Sequence, residues 1–238
     1  MSHPARFSKA VIDVIAEVLQ GYTSIHACST TGIHIHDPFA GTGERLWELS
    51  QMLEPPASIS GTEIEAEFIK NQAVSVGDAT ERSTYPDHPY VIVTSPTYPN
   101  GMADSWSAKD PSTRKTYRAA LREINAGDDR QLHDNNQGRY GYRGTSQKSS
   151  KRRAYWDIAE RSVVNWDGAQ MALVNVSDFI WSRGGVDNVE RVCDEWQALM
   201  ERHGWKIEAN IPVGTPRMGY GANRHKRVPV ERVLVCSR

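Results

Sequence analysis

Long hydrophobic runs are missing from these 238 residues; the longest stretches without a polar residue are only a few residues, as in Met171-Ala172-Leu173-Val174. A membrane-crossing helix needs about 20 mostly apolar residues, so none is expected and no membrane partner is implied. Cysteine is scarce: Cys28, Cys193 and Cys236 are far apart, odd in number and without metal-ligand spacing. A disulfide framework and a cysteine-based metal site are thereby excluded, and no metal is expected elsewhere. The opening Met1-Ser2-His3-Pro4-Ala5-Arg6 lacks the basic-then-apolar layout of a signal peptide, which makes a reducing cytoplasm the expected home. No lysine occurs between residues 10 and 69, so the glycine-rich turn in that stretch cannot be a Gly-Lys-Ser/Thr phosphate cradle. A third glycine is also absent, since Gly41 and Gly43 are followed by Leu46 where a dinucleotide fingerprint needs glycine. No internal repeat is visible.

What is present suffices for one large core. With 39% hydrophobic residues the chain reads as a single α/β domain over residues 1–238. Its net charge of -1 hides an asymmetry. Residues 101–153 carry 12 Lys+Arg against 6 Asp+Glu, and residues 217–232 carry 5 against 1, which leaves -11 for the rest of the chain. Two basic segments on an acidic body suit a phosphate-backbone partner, although solvated loops account for them equally well on charge alone.

Periodicity organises the rest. Ser8–Gln20 reads as an amphipathic helix with Val11, Ile12, Ile15, Val18 and Leu19 on one stripe. Strand-like runs recur at 33–36, 58–62, 73–76, 90–94 and 171–176, with helical patterns at 43–53 and 65–70 between the first three. That alternation predicts a parallel sheet covered by helices on both faces. A helix over 189–203, ended by Gly204, should lead into two final strands at 205–211 and 232–236 that could pair in antiparallel fashion. Residues 100–150 break the pattern. They hold one helix signal, Asp110 capping Pro111, and are otherwise polar and rich in Gly, Tyr and Arg, as expected of a mobile basic insertion and candidate target-recognition element.

Between the first strand and the next helix stands Asp37-Pro38-Phe39-Ala40-Gly41-Thr42-Gly43-Glu44-Arg45. A strand ending in a carboxylate and turning through two glycines into a helix is a natural ligand seat, because the turn exposes bare backbone and the helix start presents unpaired N–H groups. Asp37-Pro38-Phe39-Ala40-Gly41-Thr42-Gly43 resembles the first motif of the amino-methylating DNA methyltransferases, which bind S-adenosyl-L-methionine. After the apolar strand Tyr90-Val91-Ile92-Val93, the run Ser95-Pro96-Thr97-Tyr98 resembles that family's (Asp/Asn/Ser)-Pro-Pro-(Tyr/Phe/Trp) motif. Serine at its head leans toward cytosine N4 as the methylated group.

The resemblance implies a Rossmann-like class I methyltransferase fold: a mostly parallel seven-stranded sheet with an antiparallel last strand. It also implies S-adenosyl-L-methionine as cofactor. The cofactor would be held by Phe39, Ala40, Gly41 and Gly43 after Asp37, by Glu63 on the ribose, by Asp78 and Ala79 at the adenine, and by the chain around Phe7 at the methionine end. Ser95 and the Pro96 carbonyl would accept hydrogen bonds from the target amino group. That nitrogen is a poor nucleophile because its lone pair is delocalised into the ring. Tyr98 would stack on a base taken out of its helix.

Thr97 departs from the pattern, which has a second proline there, and the turn is less rigid for it. Methylation at cytosine carbon 5 is excluded, since its thiolate usually lies in a Pro-Cys dipeptide and the cysteines here follow Ala27, Val192 and Val235. Nucleic acid, DNA in the first place, would meet Arg139, Arg143, Lys148, Arg152 and Arg153 in the insertion and Arg217, Arg224, Lys226 and Arg227 near the C-terminus. Adenine N6 or RNA as target, a catalytically weakened nucleic-acid binder and a small-molecule methyltransferase are the competing readings. His34 and His36 alternate with isoleucines on the first strand, where packing or hydrogen bonding is favoured over metal binding, and Trp166 and Asp167 together with Asn175 to Phe179 are placed near the base pocket.

Overall fold

The computed structural model describes residues 7–25, 32–64, 66–96, 148–183, 186–214 and 228–238. Helix α1 spans Lys9–Ile25, five residues beyond the expected Gln20. Ser8 starts it, its hydroxyl accepting from the Val11 N–H at 3.2 Å. Strand β1 (His34–Asp37) leads through the glycine turn to α2 (Glu44–Gln51), and β2 (Ser58–Glu63), β3 (Val74–Val76) and β4 (Tyr90–Thr94) follow. Then come α3 (Lys148–Val164), β5 (Ala169–Val176), β6 (Phe179–Arg183), β7 (Val186–Glu190), α4 (Val192–Arg202), β8 (Lys206–Gly214) and β9 (Val230–Ser237).

Seven strands form one sheet in the order β3-β2-β1-β4-β5-β9-β8. Strands β1 to β5 are parallel, and β9 runs antiparallel to both β5 and β8. The expected pairing of the two final strands is therefore found. Alternation along β4 divides the core. Val91 and Val93 pack with α1 and α2, together with Met171, Leu173, Val233 and Val235. Tyr90 and Ile92 pack with α3 and α4 on the other face, where Trp166 and Trp196 stack 6.4 Å apart and Trp196 Nε1 donates to Tyr155 Oη at 2.8 Å. Covering both faces is what lets parallel strands be apolar throughout.

Two local expectations are corrected, and one helix stands where none was expected. Residues 65–70 do not make an α-helix; a single 3-10 turn, Ala66–Phe68, stands there. The Lys70 N–H donates to Thr42 O, and the Asn71 side chain accepts from the Ala73 N–H, so the chain is drawn straight into β3. The helix expected from Val189 begins at Val192, because Val189 and Glu190 pair with Ile180 and Phe179 in the separate β6–β7 ribbon. Asp178 Oδ1 accepts from Cys193 N–H at 2.9 Å at the helix start. Helix α3 went unanticipated. Its buried positions Tyr155, Ala159, Ser162 and Val163 keep helical spacing, but two are small or polar, which conceals the stripe. Gly204 does end α4, with φ 78° in the left-handed region.

Among the described residues no helix is long and apolar enough to cross a membrane. Cys193 and Cys236 are buried thiols, Cys236 pushed up to about 12 by burial, and Cys28 lies outside the described residues.

The two histidines of β1 hydrogen-bond rather than gather ligands. Ser60 Oγ lies 2.8 Å from both His34 Nε2 and His36 Nδ1, and Ser58 Oγ lies 2.9 Å from His34 Nδ1. His36 is buried against Tyr85 and Tyr90, and burial, then the neighbouring His34, pushes its pKa down to about 3. A group held neutral in the fold but free to protonate when unfolded leaves stability intact above about pH 6.5 and subtracts from it as pH falls towards 3, by at most about 1.4 kcal/mol per pH unit. Asp37, raised to about 7, acts oppositely between about 4 and 7. Comparison with a variant isolates the histidine: the drop in melting temperature from about pH 7.5 to about pH 5 should be smaller in His36→Phe than in the parent.

Candidate functional site

Five parallel strands bring their carboxyl ends to one edge, and the order changes direction between β1 and β4. The chain goes from β1 through α2 to β2 on one side and from β4 through α3 to β5 on the other, with α2 and α3 on opposite faces. Such a switch point opens a crevice beyond the strand ends. Asp37 ends β1, Glu63 ends β2, Asp78 follows β3, Ser95 and Pro96 follow β4, and Asn175 stands near the end of β5.

Asp37 holds the two central strands together. Its Oδ1 accepts from Thr94 Oγ1 at 2.7 Å and from the Phe39 N–H at 2.9 Å, and the residue is 3% exposed. Burial outweighs both hydrogen bonds and raises its pKa to about 7. The turn beyond is laid across β2, with the Ala40 N–H donating to Thr62 O at 3.0 Å. Gly61 permits this approach, because a Cβ there would lie 2.6 Å from Ala40 Cβ. Gly41 and Gly43 hold φ of 55° and 72°. A Cβ on Gly43 would run into Val74 Cγ2 at 2.6 Å and Asn71 Cβ at 2.8 Å. Gly43 thus seats the helix start closely against β3.

On the next two strands Glu63 is buried, and its carbonyl accepts from the Gly77 N–H at 3.0 Å. Asp78 Oδ1 accepts from the Thr80 N–H at 2.8 Å. Ala79 is buried, and its carbonyl accepts from Tyr85 Oη at 2.6 Å; that same hydroxyl meets Ser162 Oγ at 2.9 Å and receives Trp166 Nε1 at 3.2 Å. Arg161 Nη2 reaches Thr80 Oγ1 at 3.1 Å. Helix α3 therefore holds the loop after β3 in place, a role for Tyr85, Arg161 and Ser162 that no motif announced.

Ser95 is 5% exposed, and its Oγ lies 3.4 Å from Asn175 Nδ2, which also donates to Glu231 Oε2 at 3.0 Å. Asn175 had a sequence signal, being a polar residue that follows the apolar run Met171–Val174 near the end of the strand. Glu231 and Thr94 had none. The Phe7 ring belongs to the apolar cluster on the α1 face, so it serves the core. Tyr98 and Thr97 lie outside the described residues, as do Arg139, Arg143, Arg217, Arg224, Lys226 and Arg227. Lys148, Arg152 and Arg153 stand on the first turns of α3. Because α3 crosses back from the end of β4 to the start of β5, those turns lie at the Ser95 edge. The described chain also reaches that edge at Gly214, where β8 ends, and leaves it at Val230, where β9 begins.

The strand order and the single antiparallel strand define a Rossmann-like class I methyltransferase fold. No family model matches the chain, and no curated protein matches it. Among solved structures it is similar to the precorrin-6y C5,15-methyltransferase of Geobacter metallireducens, at 12% identity and TM-score 0.45, covering 100% of this chain and 93% of the other. It is similar to the magnesium protoporphyrin IX methyltransferase of Synechocystis with bound SAH, at 10% identity, TM-score 0.44 and coverages of 100% and 90%. It is also similar to the 1,6-didemethyltoxoflavin-N1-methyltransferase of Burkholderia thailandensis, at 8% identity, TM-score 0.48 and coverages of 97% and 79%. Likenesses this distant carry no argument about substrate; the fold rests on the sheet itself.

Proposed function

We propose that this protein is an S-adenosyl-L-methionine-dependent methyltransferase that acts on an exocyclic amino group of a nucleobase, with cytosine N4 in DNA favoured over adenine N6 or RNA. The observation that carries the reading is the row of acceptors at the switch-point edge, Asp37, Glu63 and Asp78, beside Ser95-Pro96. Carboxylates repel phosphates, and the turn lacks the third glycine of a dinucleotide fingerprint and the lysine of a phosphate cradle. The edge suits a ligand of cations and donors: an ammonium and sulfonium, a ribose diol and an adenine amino group. When bound, S-adenosyl-L-methionine supplies an electrophilic methyl group. Asp37 would then face the positive end, Glu63 the ribose and Asp78 with Ala79 the adenine. Ser95 Oγ and the Pro96 carbonyl would hold the target amino group by its hydrogens, favouring a pyramidal nitrogen whose lone pair is available.

Two results test this directly. Nucleosides from DNA incubated with the protein and S-adenosyl-L-methionine should contain N4-methylcytosine by mass spectrometry. N6-methyladenine or methylated RNA would move the target, and cofactor binding without any nucleobase methylation would refute the reading. Asp37 adds a pH signature. A cation beside it favours the carboxylate, so cofactor affinity should rise as pH increases through about 7 with release of a proton, and lose that dependence in Asp37→Asn. Calorimetry in buffers of different ionisation enthalpy reads both.

The basic residues give a third measurement. Replacing Arg139, Arg143, Lys148, Arg152 and Arg153 by alanine should weaken duplex binding while sparing cofactor affinity. The slope of log affinity against log salt should fall by roughly 0.9 for each phosphate that is no longer neutralised. An unchanged slope would take these residues out of the interface.

A further inference from the structure

We infer that Asn175 contacts the target base itself, its Oδ1 accepting a hydrogen bond from an N–H on the base edge beside Ser95. The inference rests on the nucleobase reading and adds a specificity-determining residue to it. Val91 and Val93 on β4, Met171 and Leu173 on β5, and Val235 and Val233 on β9 pack on one face of the sheet. Two residues further towards the crevice, Ser95, Asn175 and Glu231 continue those three rows. The apolar floor thus ends in a polar triad at the crevice.

Chemistry sets the orientation of the amide. A carboxylate only accepts, so the Asn175 nitrogen must be the atom that faces Glu231 Oε2 at 3.0 Å, and the same nitrogen lies 3.4 Å from Ser95 Oγ. The oxygen therefore points elsewhere. Asn175 is 2% exposed, and its Oδ1 has no hydrogen-bond partner among the described residues. A buried acceptor without a donor opposes folding and calls for a specific account. Here a donor would arrive with the substrate. An acceptor beside Ser95 fits the amino edge of cytosine or adenine and repels a carbonyl edge such as that of uracil or thymine, because two acceptors would face each other. Sites built to hydrogen-bond a substrate N–H discriminate strongly against analogues lacking it. Glu231 is a positioning residue in this scheme and acts only through the amide.

The test uses the whole chain, S-adenosyl-L-methionine and unmethylated DNA, with methylated nucleosides quantified by mass spectrometry and cofactor affinity by calorimetry. Asn175→Ala should lower turnover by about 10- to 100-fold while cofactor affinity changes less than about twofold. Glu231→Gln keeps an oxygen facing the amide nitrogen and should retain turnover within about threefold; Glu231→Ala frees the amide to turn and should cost about tenfold. This pair carries the test should Asn175→Ala not fold. Asn175→Ala at the parent rate, or Glu231→Ala matching Glu231→Gln, overturns the inference and leaves the proposed function standing. A parent protein that binds cofactor but methylates neither DNA nor RNA overturns both.

Discussion

Ser95→Ala should lower the rate of amino-group methylation by roughly one to three orders of magnitude, with DNA affinity and cofactor affinity nearly unchanged. The hydroxyl is a preorganised acceptor: it stands just past the end of β4, is buried, and is approached by the Asn175 amide from β5. Positive charge develops on the target nitrogen as it attacks, so an acceptor at that atom does more in the transition state than in the bound ground state. The alanine variant also removes the oxygen that Asn175 Nδ2 meets, but that nitrogen keeps Glu231, so the fold should tolerate the change. Single-turnover kinetics beside a DNA-binding titration separates the two effects. An unaltered rate would remove Ser95 from the chemistry.

Gly43→Val should abolish measurable cofactor binding through a different cause from the one the motif alone suggests. Obstruction of the ligand by the new side chain is the simple expectation for a glycine in such a turn. The backbone supplies another cause, because the added Cβ would collide with Val74 and Asn71. A β-branched residue at φ 72° is strained in addition. Together these should cost about 3 kcal/mol, from backbone strain and overpacking. The damage should therefore appear as a lower melting temperature as well as a loss of affinity, with the turn between Asp37 and Glu44 displaced. Calorimetric binding and thermal melting measured on one preparation decide it. A loss of affinity at an unchanged melting temperature would restore the steric-occlusion account.

Periodicity and turn chemistry alone marked out the seven sheet strands, the parallel run of the first five and the place of the Asp37–Gly43 turn, and left the antiparallel pairing at the end open. Those features are local: alternation of apolar residues, a capping serine before α1 and glycines at positive φ leave their mark within a few positions of the chain. The carboxylates Asp37, Glu63 and Asp78 and the head of the Ser95 motif were legible for the same reason, since each stands at or just past the end of a strand. The tertiary structure decided the rest. That Gly43 faces Val74, and that Gly61 makes room for Ala40, depends on how two crossovers stack. Helix α3 hides its stripe behind Ala159 and Ser162, and Val189 was drawn into β7 by a partner strand that no local signal names. The Ser95–Asn175–Glu231 triad joins residues 80 and 56 positions apart. Only the register of β4, β5 and β9 brings them together, because a hydrogen bond is set by distance in space and strand pairing is free to close any length of chain.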